Sequence, residues 1–192
     1  GKNATSSPAP TASAAPRGRA VRAGARRRNK VSVNMPPSAY IETSVISYLT
    51  GRRNQRDLIV AAHQELTREW WDNRRQKFTL YASAVVIEEA RRGNEAMARA
   101  RMEIIEELRL ADVTQSAREL AARLLLEVAL PVKANADALH IAIAAANGID
   151  YLLTWNCTHL ANAFMIPRVE KICRVAGFEP PYICTPQELM VG

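Results

Sequence analysis

The chain has 192 residues, 48% of them hydrophobic, which is enough for one domain with a substantial core plus an additional segment. No apolar run approaches the roughly 20 residues needed to cross a bilayer, which argues against a helical membrane protein. The net charge of +7 resides in the first 35 residues, which hold eight Lys and Arg and no acid; residues 36–192 therefore carry −1, and the basic pI does not mark the domain itself as a nucleic-acid binder.

Residues 1–35 are rich in Ala, Ser, Pro and Arg and poor in large apolar side chains. Such a composition cannot bury enough surface to fold alone. Three readings stand for this basic tail: a disordered arm, a transit-peptide-like segment, or residues that do not belong to the working protein. The last is favoured, with Met35 as the native start ahead of the folded domain, residues 36–192. The three cysteines, Cys157, Cys173 and Cys184, are odd in number and form no C-x-x-C pair. They suit a reducing compartment, and the expected location is the cytoplasm.

Tyr40-Ile41 end a short first strand, and Glu42 stands at its C-terminal edge. Thr43 or Ser44 is a cap candidate for a helix entered by Val45 and Ile46. Arg56 to Gln76 reads as a helix whose inner face carries Leu58, Ile59, Ala62, Leu66, Trp70 and Trp71. The two tryptophans read as core or interface anchors. Phe78 to Tyr81 is strand-like; Ser83 is a cap for a following helix that carries Glu88 and Glu89, and Gly93 stops it. Asn94 caps the next helix, with Met97, Met102, Ile105 and Leu108 inward. A short strand lies within Leu108 to Val113, and a helix runs from Ser116 to Ala129 before Pro131. Asn135-Ala136-Asp137 introduces a helix that is apolar nearly all round up to Gly148, as in a buried central helix. Tyr151 to Thr154 is a buried-type strand followed by Trp155-Asn156-Cys157-Thr158-His159. Residues 160–176 read as helical except around Pro167; a Tyr182-Ile183-Cys184 strand and a turn of helix from Pro186 finish the chain. Alternating strands and helices predict an α/β fold with a mostly parallel sheet flanked by helices.

Four polar groups stand at comparable places: Glu42 after a strand, Glu88 or Glu89 early in a helix, Asp137 at the start of the buried helix, Asn156 after the last long strand. A parallel sheet gathers its C-terminal strand ends on one edge, where ligands bind. Two carboxylates about 5 Å apart repel by roughly 3 kcal/mol at an effective dielectric near 20. A hard divalent cation, Mg²⁺ or Mn²⁺, relieves that repulsion and takes oxygen ligands. Each residue also has a simpler role. Asp137 is a good N-cap, a role compatible with catalysis. Alternation does not decide between Glu88 and Glu89. His140 reads as a hydrogen-bonded core residue, and His159 as a loop residue close enough to touch a phosphate. Ser44 is placed to orient a carboxylate or a water. Cys157 and His159 lack zinc spacing, and no G-x-S-x-G, P-loop or G-x-G-x-x-G occurs.

Tyr40-Ile41-Glu42-Thr43-Ser44-Val45-Ile46-Ser47 resembles the opening motif of PIN-domain ribonucleases, especially VapC-like toxins of type II toxin–antitoxin systems. Ser83 with Glu89 six residues on and then Gly93 resembles their second acidic motif, a register that selects Glu89. Ala136 to Ala142 resembles the third, and Leu152-Leu153-Thr154-Trp155-Asn156 the fourth. The resemblance implies a PIN-like three-layer α/β/α fold and metal-dependent hydrolysis of RNA phosphodiesters. Glu42, Glu89 and Asp137 would hold Mg²⁺ or Mn²⁺, with Asn156 as the fourth catalytic position, Ser44 in support and His159 as a substrate contact. It further implies a cognate antitoxin, whose Arg would enter the acidic pocket, and a homodimer, with Trp70 and Trp71 as interface candidates. Two positions depart from the family pattern: Glu42 and Asn156 stand where Asp is usual. Three carboxylates instead of four imply one well-occupied ion. The alternative is a catalytically weakened PIN fold that binds a partner or nucleic acid.

Overall fold

The structure is a computed structural model that describes residues 35–128 and 135–190. The tail reading of residues 1–35 therefore falls outside the described residues except at Met35, as does the helix end expected near Ala129 and Pro131.

Among the described residues five strands form one sheet: β1 (Ser38–Ile41), β2 (Thr79–Ser83), β3 (Arg109–Ala111), β4 (Tyr151–Leu153) and β5 (Tyr182–Cys184). The order is β3-β2-β1-β4-β5, and every pairing is parallel. Ala39, Tyr40 and Ile41 are fully buried, as a central strand covered on both faces requires. Tyr40 is level with Tyr81 on one side and Leu152 on the other. Glu42 N donates to Leu153 O at 3.0 Å, so β1–β4 pairing continues up to the turn.

Seven α-helices flank the sheet among the described residues: α1 (Thr43–Thr50), α2 (Leu58–Asn73), α3 (Ala84–Ala90), α4 (Glu95–Glu106), α5 (Gln115–Val128), α6 (Asn135–Ala146) and α7 (Ile166–Val175). The chain steps from β1 to β2 to β3 in one direction, then crosses back to β4 and β5. Such a reversal puts connecting helices on opposite faces. Accordingly α1 packs with α2, α3 and α4, while α5 packs with α6 and α7. In α6, residues 138 and 140–145 are all buried, so the helix expected from its apolar composition is the central one. No helix among the described residues is long and apolar enough to cross a membrane.

Several local expectations are corrected. Leu58 and Ile59 are exposed, and the buried stripe of α2 is Gln64, Thr67, Trp70 and Trp71. The reason is polar satisfaction: Gln64 Nε2 donates to Arg52 O at 2.8 Å and its Oε1 accepts from Asn54 N at 2.9 Å, while Trp155 Nε1 donates to Thr67 Oγ1 at 2.7 Å. The helix starts where Asp57 caps Ile59 N and Val60 N, and its first turn stands clear of the core. Trp70 and Trp71 lie in the core and are not available as interface anchors. Pro167 does not interrupt a helix; it sits in the first turn of α7, where its missing N–H has no helical partner to lose.

Candidate functional site

β1 and β4 are neighbours although the chain visits β2 and β3 between them. Their C-terminal ends form the topological switch point, the crevice where open α/β sheets bind ligands. Glu42 leaves β1 here and Thr154 leaves β4. Ser83, at the end of β2, caps α3 by accepting from Val85 N at 3.2 Å and so directs the helix that carries Glu89 toward the same edge. Asp137 arrives on the first turn of α6.

Glu42 is a buried carboxylate. One oxygen, Oε2, accepts hydrogen bonds from Ser44 Oγ and from Thr154 Oγ1, the latter at 2.8 Å. Ser44 Oγ in turn accepts from Trp155 N at 2.9 Å, and Thr154 Oγ1 from Asn156 N at 2.9 Å. The backbone leaving β4 thus fixes both hydroxyls that hold Glu42. This corrects the capping expectation at the start of α1. Glu42 itself occupies the N-cap position without a side-chain cap bond, and the Thr43 and Ser44 hydroxyls go to carboxylates.

Glu89 Oε2 accepts from Thr43 Oγ1 at 2.5 Å and lies 3.1 Å from His140 Nε2. Burial raises its pKa, but the His140 hydrogen bond and charge, the Thr43 hydrogen bond and the more distant Arg92 outweigh burial and hold it below the ordinary carboxylate value. Its neighbour Glu88 points to solvent and pairs with Arg92 at 2.6 Å. The two adjacent glutamates are thereby sorted: one faces the edge, the other the water.

Asp137 Oδ1 accepts from Asn156 Nδ2 at 3.0 Å. Because α6 already begins at Asn135, Asp137 is not the N-cap that the sequence suggested. Its pKa is raised, first by burial and also by the charge of Glu42, against lowering influences from His140, His159 and the Asn156 hydrogen bond. Asn156 Oδ1 accepts from His159 N at 3.1 Å, so the amide orients the turn after β4 as well as the aspartate.

Glu42, Glu89 and His140 each offer one donor atom, all within 4.8 Å of one another. Two carboxylates at that separation repel by roughly 3 kcal/mol at an effective dielectric near 20. The oxygen-rich set fits a hard divalent cation. Sequence reasoning treated His140 as a core residue, which its full burial bears out. It did not see that the ring reaches Glu89, because the residues from Ala138 to Ala146 on either side of it are all apolar and mark no polar face. Thr43 and Thr154 were missed for a similar reason: threonine after a strand is too common to signal a role.

No protein-family model matches the chain, and no curated protein matches it. Among solved structures it is similar to Mycobacterium tuberculosis VapC20, described as a sarcin-ricin loop cleaving toxin. That match has 22% identity and a TM-score of 0.47, covering 60% of this chain and 87% of that one. It is also similar to Rickettsia felis VapBC2 bound to a DNA fragment from their promoter, at 17% identity and a TM-score of 0.45, covering 77% of this chain and 97% of that one.

Proposed function

We propose that the chain is a metal-dependent endoribonuclease of the VapC-like PIN kind, acting as the toxin of a toxin–antitoxin pair. The observation that carries this reading is the meeting of Glu42 and Glu89, from two separate sequence motifs, beside Asp137 and Asn156 at the sheet's switch point. Glu42, Glu89 and Asp137 are the proposed ligands of Mg²⁺ or Mn²⁺. When bound, such an ion supplies Lewis acidity, lowers the pKa of its water and neutralises charge at the leaving oxygen.

The chain's own residues do the rest. Ser44 and Thr154 fix one Glu42 oxygen and leave the other free. Thr43 and His140 do the same for Glu89. Asn156 holds Asp137 by one oxygen, and the desolvation that raises the pKa of this carboxyl makes it a willing partner for positive charge. His159, close enough to Asp137 for its charge to be felt, is the proposed contact for a substrate phosphate. An antitoxin Arg would pair with the same carboxylates bidentately and silence the site. Homodimer formation is part of the proposal, as is a cytoplasmic location, which suits the free thiols of Cys157, Cys173 and Cys184.

A second reading has one observation in its favour. Asn156 meets Asp137 with its neutral amide where a fourth carboxylate would add charge. On that reading the domain binds RNA or a partner without cutting. Incubation of a structured RNA pool with the protein in Mn²⁺, in EDTA, and as Asp137→Asn separates the two. Cleavage that requires both metal and Asp137 supports the nuclease; metal-independent binding without cleavage supports the binding module.

A further inference from the structure

His140 has two possible roles in this cluster. Its Nε2 can offer a lone pair to a cation alongside Glu42 and Glu89, since the donor atoms lie within 4.8 Å of one another. Alternatively Nε2 carries a hydrogen and donates it to Glu89 Oε2 at 3.1 Å. The far side of the ring distinguishes them. His140 Nδ1 is 2.9 Å from Tyr40 OH, and Tyr40 OH is 2.7 Å from Ser83 Oγ, which accepts from Val85 N at 3.2 Å. Tyr40, Ser83 and His140 are all fully buried, so each hydrogen in the row needs an acceptor within it.

One direction meets that need. Ser83 donates to Tyr40, Tyr40 donates to Nδ1, and Nε2–H donates to Glu89, whose ionised carboxylate only accepts. The buried Tyr40 hydroxyl has one hydrogen to give, and Nδ1 is its acceptor in this direction. In the opposite direction Nδ1–H donates to Tyr40 and Tyr40 to Ser83. The Ser83 hydrogen then has no acceptor in the row, and the Nε2 lone pair faces that of Glu89 Oε2.

We propose that His140 is a positioning residue and not a metal ligand: the buried row Ser83–Tyr40–His140 fixes the Nε2–H tautomer, and this N–H, with Thr43, aims the Glu89 carboxylate. The ligand set is then oxygen only, which selects Mg²⁺ and Mn²⁺ over metals that prefer imidazole. The tautomer half stands on the hydrogen bonds alone; the ligand half rests on the metal-centre reading given above.

Ring ¹⁵N chemical shifts of His140 in the metal-free full chain test the first half. The expected result is a protonated Nε2 and an unprotonated Nδ1; a proton on Nδ1 overturns the proposal. Tyr40→Phe keeps the ring packing and removes the Nδ1 donor, and should mix the two tautomers; unchanged shifts there would also overturn it. Pulsed EPR of the Mn²⁺-loaded protein tests the second half, with no directly bound imidazole nitrogen expected and strong ¹⁴N coupling contradicting it. His140→Leu should weaken Mn²⁺ binding by about 10- to 100-fold, and His140→Gln, which keeps an N–H on an arm of similar reach, should restore most of it. Equal loss in both variants would contradict the donor role. If the wild-type chain binds no Mn²⁺, the metal-centre reading and the ligand half fall together, and the ¹⁵N shifts still decide the tautomer.

Discussion

The two edges of the sheet treat acidic side chains in opposite ways. At the edge where β2 and β3 begin, a cavity of about 320 Å³ is lined by Trp71, Arg75, Phe78, Glu107 and Arg109. There Glu107 pairs with Arg75 at 3.0 Å, and the Arg75 guanidinium lies 4.7 Å from the centre of the Trp71 ring. Asp150, on the same side, closes the start of β1 by accepting from Ser38 N at 2.8 Å and Ser38 Oγ at 2.7 Å. These acids are neutralised or tied to backbone ends. At the opposite edge donor atoms of Glu42 and Glu89 lie within 4.8 Å of each other, with Asp137 outside that group but near enough to feel the Glu42 charge, and the hydrogen-bonded partners of the three are hydroxyls, an amide and an imidazole. Acids paired with arginine stabilise a fold. Acids gathered with no directly paired arginine among the described residues leave a place that a cation could take.

The sharpest way to break this contrast is to remove charge at each edge in turn. Glu42→Gln, Glu89→Gln or Asp137→Asn should lower RNA cleavage by about 10²-fold or more, the scale expected when a group that acts in the transition state is lost, with the folded CD spectrum retained. Glu107→Gln at the other edge should leave cleavage unchanged. A comparable loss from Glu107→Gln would remove the distinction.

Thr43→Val tests whether the hydroxyls matter. It deletes the donor to Glu89 without touching a proposed ligand, and should weaken Mn²⁺ binding by about 10-fold, measured by calorimetry. Unchanged affinity would mean that Glu89 needs no such support.

The two pKa shifts give a third handle, in the metal-free protein. Glu89 is held below its ordinary value of 4.5, so it contributes stability above that pH, and the contribution is lost as pH falls through the lower folded pKa. Asp137 is raised above 3.8, so its ionised form costs stability above its folded pKa, and the cost disappears below 3.8 where both states are protonated. Glu89→Gln should therefore lower Tm at neutral pH, with the deficit shrinking in acid. Asp137→Asn should leave Tm unchanged or raise it at neutral pH, since the side-chain oxygen that accepts from Asn156 is kept. Thermal melts between acid and neutral pH read both signs. The smallest effect expected is that of Arg75→Ala, which loses a half-exposed ion pair and a ring contact worth about 1 kcal/mol or less together.

Much of the fold was legible because its signals are local. The apolar run of Ala138 to Ala146 marked the buried helix, Ser83 and Asn94 marked helix starts, and short β-rich runs marked the strands. The exposure of Leu58 and Ile59 was not, because the buried face of α2 is set by polar partners on Arg52, Asn54 and Trp155, distant in sequence or in the preceding turn. The same holds at the site. Glu42, Glu89, Asp137 and Asn156 could be singled out from motif order. Of their supports Ser44, placed to orient a carboxylate, does bond Glu42, but the others were not legible, since Thr154 reaches Glu42 across 112 positions of sequence and Tyr40 reaches His140 across 100.

The most direct measurement is a calorimetric titration of the metal-free chain with Mn²⁺, repeated on Glu89→Gln. Saturable binding of about one ion per chain, abolished or strongly weakened in the variant, is the result that the paired carboxylates and their oxygen-only ligand set lead to. No saturable binding by folded wild-type protein, or binding that Glu89→Gln leaves intact, would contradict a metal centre at this edge of the sheet.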